Sequence, residues 1–312
     1  MFSLNATLPV FLVIVLGWFL MQKKMFNDNF VDIINKFVFK VSLPVLLFKD
    51  IATTPIKDAF DPKFVIFCMV GTTIMFMGIW ALTTIFMKDK SMVGAFTQAS
   101  ARGSAAVLGI AFVQNIYGNS GMTPLMIVSA VPLYNIYSVI ILTFCANDQD
   151  HSDRAATIKR AFKNILTNPI ILGIAAGVPF SLLNIELPPL VLKTVTNVAQ
   201  TATPMALLAV GAGFEGRKAI KKIKPTMIAT FIKLIALPAI YFPFAIAMGF
   251  RESALVAILI MVGSPTTVTC YIMAKNMRND DVLSSSIIVM ATLLSSVTLT
   301  FWIFLLRSMG LI

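Results

Sequence analysis

The sequence predicts an all-α membrane protein: ten transmembrane helices in two inverted five-helix repeats, with helices four and nine broken where they cross. Three observations predict it. The mean hydropathy is +0.87, and 58% of residues are hydrophobic against 12% charged, well outside soluble composition. Ten apolar segments are long enough to cross a bilayer, which takes roughly 20 residues each. The punctuation also repeats: Pro9, Gly17, Pro44 and Gly103-Ser104 return 160 residues later as Pro169, Gly177, Pro204 and Gly263-Ser264, with no gap. Five spans per copy is an odd number, so the second copy enters the membrane from the opposite side. Secondary transporters are built this way, with the substrate site at the repeat interface near the midplane.

The first half, residues 1–150, holds spans at about 4–22, 30–49, 62–87, 92–116 and 122–146. The second, 151–312, holds spans at about 166–184, 188–213, 225–249, 253–275 and 282–307. The longest polar connections fall near 147–163 and 214–224, so no soluble domain fits between them. No basic residue precedes span one while Lys23 and Lys24 follow it, the reverse of a cleavable signal peptide, which makes it a retained span. Gly17 lets a neighbouring helix approach closely. Pro44 in span two and Pro204 in span seven each remove a hydrogen bond and bend the helix. They read first as shape-setting kinks, with direct substrate contact the lesser alternative.

Spans four and nine differ in kind. Gln98 to Gly109 and Met261 to Thr269 both place small and hydroxylated residues at the centre of an apolar stretch. Ser264-Pro265 is a helix-start signal, with serine as N-cap and proline at the first helical position. At mid-membrane this says that one half-helix stops and another begins, which is tolerated only when buried or lining a cavity.

Charge placement decides the topology and the sign of the cargo. Fifteen of the 25 basic residues follow odd-numbered spans, at Lys23, Lys24, Lys88, Lys90, Arg154, Lys159, Arg160, Lys163, Arg217, Lys218, Lys221, Lys222, Lys224, Lys275 and Arg278. Six lie on the other side: Lys49, Lys57, Lys63, Lys193, Arg251 and Arg307. The positive-inside bias puts the odd connections in the cytoplasm and both termini outside, so the net charge of +11 is topogenic and no nucleic-acid partner is implied. All 14 acidic residues sit in connections or near span ends. Arg102, near the centre of span four, and Lys233, in the inner half of span eight, therefore have no core carboxylate to neutralise them. Each costs about 2.5–3.5 kcal/mol to insert and marks a substrate or ion path. Two half-helix N-termini add unpaired N–H groups and positive dipole ends, and a guanidinium grips a carboxylate bidentately. The centre is built for an anion.

Other candidates are weaker. Asn135 in span five either donates to a substrate oxygen or caps a backbone group. His151 lies in a polar loop and reads as solvated. Cys68, Cys145 and Cys270 stand singly in spans, with no metal, redox or disulfide spacing. An intramembrane enzyme would need a core histidine, a metal cluster or an acidic pair, and only Asp280-Asp281 at a span edge resembles one. The chain does not read as an enzyme, and it calls for no cofactor.

With these residues in hand, the chain resembles the auxin efflux carrier family, which takes in plant auxin carriers and bacterial permeases assigned to malate or malonate. The segments that carry the likeness are Asn35 to Phe39 with Leu43-Pro44, Arg102-Gly103-Ser104 through Gly109, and Pro132-Leu133-Tyr134-Asn135. It continues in Asn168-Pro169, Thr203 to Leu207, Lys233 to Pro238 and Ser264-Pro265-Thr266. The resemblance implies a scaffold of spans one, two, six and seven and a transport domain of spans three to five and eight to ten, moving like an elevator. It implies a homodimer through the scaffold, and a site at Gly103, Ser104, Ser264, Pro265 and Thr266 with Asn135. The chain departs from the family pattern at Ser104, where members often carry asparagine, and at Ile110, where they carry proline. Without that proline, span four should be less sharply broken than span nine.

The expected function is secondary transport of small organic anions, carboxylates such as malate or malonate, across the cytoplasmic membrane. Arg102, Gly103, Ser104, Gly263, Ser264, Pro265 and Thr266 would bind the substrate with Asn135, and Lys233 would add positive potential or carry a proton. The coupling ion is left between proton and sodium, with sodium second for want of a carboxylate ligand. Membrane lipid surrounds the whole. The alternatives are export of an auxin-like amphipathic weak acid and, outside transport, a membrane sensor.

Overall fold

The computed structural model describes residues 2–53, 61–146, 154–183 and 185–312. His151, Lys57, Asp58, Asp148, Asp150 and Asp153 lie outside them, as do the side chains of Arg154 and Arg160. The chain is an all-α membrane protein. Its first helices are α1 (Phe2–Gln22), α2 (Asp28–Phe37), α3 (Leu43–Ala52), α4 (Pro62–Phe86), α5 (Val93–Ala101), α6 (Ala105–Tyr117) and α7 (Thr123–Phe144). Then follow α8 (Arg154–Leu166), α9 (Pro169–Leu183), α10 (Pro189–Gln200), α11 (Ala202–Ala212), α12 (Gly216–Lys221), α13 (Ile223–Phe231), α14 (Leu237–Ala247), α15 (Glu252–Gly263), α16 (Thr269–Asn276) and α17 (Asp281–Ser308). Four stretches are long and apolar enough to cross a membrane unbroken: α4, α7, α13 running into α14, and α17.

The remaining apolar stretches are shorter or interrupted, and proline accounts for much of this. The chain passes from α2 to α3 through a π-helical turn at Val38–Ser42, just before Pro44. It passes from α13 to α14 through another at Ile232–Ala236, just before Pro238. A proline cannot donate to the carbonyl four residues back, and a widened turn is one way to accommodate that loss. Pro204 sits in the first turn of α11, after a break at Thr201 between α10 and α11. Both prolines thus follow interruptions of the α-helical pattern, a π-turn before Pro44 and a break at Thr201 before Pro204.

The polar connection expected at 147–163 holds α8, whose basic sequence winds as a helix with Ala161 buried and Phe162 and Lys163 outward. One expectation is corrected. Ser264 is not the N-cap of the second half-helix of span nine. It is the C-cap of α15, in extended conformation, and α16 begins only at Thr269 with Val268 as its cap. Residues 264–268 are held out of the helix by their pairing with the break in span four.

Packing divides the apolar interior into two main bodies. One gathers α4, α6, α7, α14, α15 and α17 around Phe64, Phe76, Phe112, Met126, Tyr134 and Leu255. The other gathers α1, α2, α3, α9, α11 and α16 around Ile14, Leu47, Ile170, Val210 and Tyr271. In the second body α1 lies along α11 and α3 along α9. A Cβ on Gly17 would overlap the Leu208 carbonyl, and one on Gly177 would come within 2.9 Å of the Phe48 carbonyl, so glycine permits backbone contact at both. Outward faces are apolar in stripes: Ile66, Val70 and Ile74 on α4, and Leu293, Val297, Phe301 and Phe304 on α17. A water-soluble protein rarely exposes such continuous patches. Charged groups pair at helix ends instead, Lys275 with Asp32 at 3.6 Å and with Asp281 at 3.4 Å, and Lys222 with Asp280. Asp280 also caps α17, accepting from the Leu283 N–H at 2.9 Å. The adjacent acids Asp280-Asp281 are thereby committed to a cap and two ion pairs.

Candidate functional site

The two broken helices meet. Gly103, between α5 and α6, forms an isolated antiparallel bridge with Thr266, between α15 and α16, and the Ser104 N–H donates to the Pro265 carbonyl at 2.9 Å. The break in α5–α6 spans Arg102 to Ser104, and that in α15–α16 spans Ser264 to Val268. Span nine is the more open of the two, as the missing proline at Ile110 led us to expect.

Breaking a helix in an apolar interior strands carbonyls, and each stranded group needs a partner. The Ala99 carbonyl accepts from the Thr266 hydroxyl at 2.7 Å. The Ala101 carbonyl accepts from Lys233 Nζ at 2.9 Å. Met261 would bond the N–H of residue 265, but Pro265 has none. Its carbonyl accepts from the Tyr134 hydroxyl at 2.8 Å and from Lys233 Nζ at 3.4 Å. The same logic holds one helix away, where Pro238 frees the Leu234 carbonyl and Trp302 Nε1 fills it at 2.9 Å.

Arg102 is 5% exposed and its guanidinium turns inward. Nη2 donates to Asn135 Oδ1 at 2.8 Å and Nη1 to Met273 Sδ at 3.0 Å. Asn135 is held for this contact because its own Nδ2 donates to the Val131 carbonyl at 2.9 Å, one turn back on α7. Asn135 thus caps a backbone carbonyl and holds the guanidinium at once. Lys233 is wholly buried, so neither cation snorkels to the interface. Among the described residues no carboxylate pairs with either. Their partners are amide, thioether and carbonyl groups, which orient the charges without cancelling them.

A cavity of about 40 Å³ opens beside the crossing. Ser104, Pro265, Thr266 and Thr267 line it from the crossing, Val10 and Thr203 from α1 and α11, and Thr292 from α17. It has room for about one water molecule, whose share of liquid volume is roughly 30 Å³. The N-terminal ends of α6 and α16 adjoin it, with the positive end of each helix dipole. Ser104 is the N-cap of α6, yet its side chain makes no capping bond.

The structure thus brings together Gly103, Ser104, Ser264, Pro265 and Thr266 at one point, with Lys233 against Gly103 on the α13–α14 side. Arg102 and Asn135 form a pair directed toward Met273, outside the cavity wall. Gly263 faces away, packed so that a Cβ would meet Pro238 Cγ at 2.8 Å. Sequence reasoning missed Met273, Tyr134, Trp302 and Thr292. Only Tyr134 carried a signal, a hydroxyl beside Asn135 in a mid-membrane segment, since Tyr usually finds a partner when buried.

The family model described as "Membrane transport protein" matches residues 2–303. A protein of Rhizobium meliloti named "Putative malonate transporter" is 24% identical over 307 residues, covering 96% of this chain and 95% of that protein. The "Uncharacterized transporter YfdV" of Escherichia coli K12 is 24% identical over 246 residues, 76% of each chain. An "Uncharacterized transporter" of Methanothermobacter thermautotrophicus is 21% identical over 304 residues, 96% of this chain and 97% of that protein.

Proposed function

The chain belongs to the membrane transport protein family, that of the auxin efflux carriers, and from that premise we propose that it carries small carboxylates across the membrane by alternating access. The observation that carries this reading is the crossing itself. Two half-helix N-termini converge on a small cavity that Ser104, Thr203, Thr266, Thr267 and Thr292 line among apolar side chains, and behind its wall a buried guanidinium has no carboxylate partner among the described residues. The carboxylate sits on the N–H groups at the N-terminal ends of α6 and α16 and on the Ser104 hydroxyl; Thr266, its hydroxyl given to the Ala99 carbonyl, holds the crossing in place, Arg102 supplies positive potential from behind the cavity wall, and Asn135 fixes the guanidinium. A relative named for malonate supports a short dicarboxylate as first choice.

The inverted-repeat reading is supported by contacts that recur at the 160-residue offset with partners exchanged. Gly17 meets Leu208 and Gly177 meets Phe48, so each glycine is matched by its counterpart and each partner by its own. The crossing pairs Ser104 with the residue that follows its counterpart, Ser264. The elevator reading rests on the cavity wall. Val10 and Thr203 belong to α1 and α11, and a 40 Å³ space admits a dicarboxylate only if those helices and the crossing part. The odd connections, with Lys222, Lys275 and their acidic partners, face the cytoplasm on this reading, and both termini face outside.

The test is uptake of radiolabelled malonate and malate into proteoliposomes of the purified protein. Saturable uptake is expected, falling at least tenfold in Arg102→Gln, with the variant still monodisperse in detergent. Undiminished transport by Arg102→Gln would remove the anion-site argument.

A further inference from the structure

Lys233 stands at the negative ends of two half-helices. Ala101 is the last residue of α5 and Met261 lies in the last turn of α15. Their carbonyls, 2.9 and 3.4 Å from Nζ, point where each helix dipole leaves about half a negative charge. A third oxygen lies close by, not bonded to the ammonium. Ser264 Oγ is fully buried without a hydrogen-bond partner, and a Cβ on Gly103 would overlap it and come within 2.9 Å of Lys233 Nζ. Glycine at 103 is what leaves room for the ammonium. The π-turn Ile232–Ala236 aims it, pinned by Trp302 on the Leu234 carbonyl.

Half-helix C-termini and unwound carbonyls are where transporters with broken helices coordinate a mobile cation. Here that place is already taken by a side chain. We infer that Lys233 is the protein's own cation at the crossing, filling with its ammonium the position a sodium or potassium ion would occupy, so that transport proceeds with no bound metal cation. The statement about transport rests on the proposed carrier function; the statement about the cation position stands without it.

Thermal unfolding of the purified, substrate-free protein tests the cation position. Midpoints are compared in choline, sodium, potassium and lithium chloride at equal ionic strength. Wild type should unfold at one temperature in all four. Lys233→Ala should lose several degrees in choline and regain them, saturably, with at least one of sodium, potassium, lithium or added methylammonium. Lys233→Met, which fills the space without the charge, should lose stability and respond to none. Saturable stabilisation of wild type by sodium would overturn the inference. So would a Lys233→Ala protein indifferent to every cation, or a Lys233→Met protein as stable as wild type in choline. Should Lys233→Ala not yield folded protein, the wild-type and Lys233→Met measurements decide. None of these measurements uses the substrate, so a failure of carboxylate uptake would count against the carrier reading and leave the cation position standing.

Discussion

Trp302 and Tyr134 do the same kind of work with different margins. Each donates to a carbonyl that a proline four residues on has freed, Leu234 for Trp302 and Met261 for Tyr134. A buried acceptor left without a donor costs about 1–3 kcal/mol. Trp302 is the side-chain donor to the Leu234 carbonyl, whereas the Met261 carbonyl has Lys233 at 3.4 Å as well as Tyr134. Trp302→Phe should therefore lower the unfolding temperature distinctly more than Tyr134→Phe, and a detergent melt of the two variants checks the order. Equal losses would mean that the proline-freed carbonyls are not what these side chains satisfy. At this scale the sequence was readable where a residue type is improbable in lipid: Arg102 and Lys233 stood out by cost alone. It was not readable where the partner is ordinary. Met273 is an apolar residue in an apolar stretch, and nothing local marks it as the second contact of Arg102, 171 residues away.

Interrupted helices were legible as elements because Gly103-Ser104 and Gly263-Ser264-Pro265 are poor helix formers at membrane depth. Where each half begins was not. Local capping chemistry favours a start at Ser264-Pro265, but the bridge from Gly103 to Thr266 holds those residues extended and delays α16 to Thr269. Tertiary pairing overrides a local preference there. The π-turn at 232–236 was hidden for the same reason, since Pro238 announces a disturbance without saying whether the helix will kink or widen. Widening rotates Lys233 relative to the turns that follow, so Pro238→Ala should let the segment close as α-helix and re-aim the ammonium. The expected result is little change in helix content by circular dichroism and a severalfold fall in the initial rate of malonate uptake. Pro243→Ala is the control, a proline inside α14 on the outward face, and it should leave the rate within twofold. If the two prolines behave alike, the π-turn is not what places Lys233.

At the scale of the whole molecule, hydropathy and the recurring Gly and Pro positions made the helical membrane architecture legible, because bilayer thickness and backbone satisfaction leave few alternatives. What faces the crossing across the cavity was not legible. Val10, Thr203 and Thr292 come from three helices distant in sequence, and no periodicity announces their convergence. That wall is also where the elevator reading is most exposed to test. If α1 and α11 stay fixed while the crossing moves past them, a tie between the two must stop the cycle. Val10 on α1 and Thr267 in the α15–α16 break line the same small space, so Val10→Cys with Thr267→Cys places two thiols across the sliding surface. Cys68 and Cys270 are buried but Cys145 is partly exposed, so the pair is built in a Cys145→Ser background. Oxidation of the double variant should abolish malonate uptake, reduction should restore it, and each single variant should be indifferent to oxidant. Full uptake by the demonstrably cross-linked protein would mean that the two bodies do not slide at this wall, and that the site must open by a local movement of the half-helices alone.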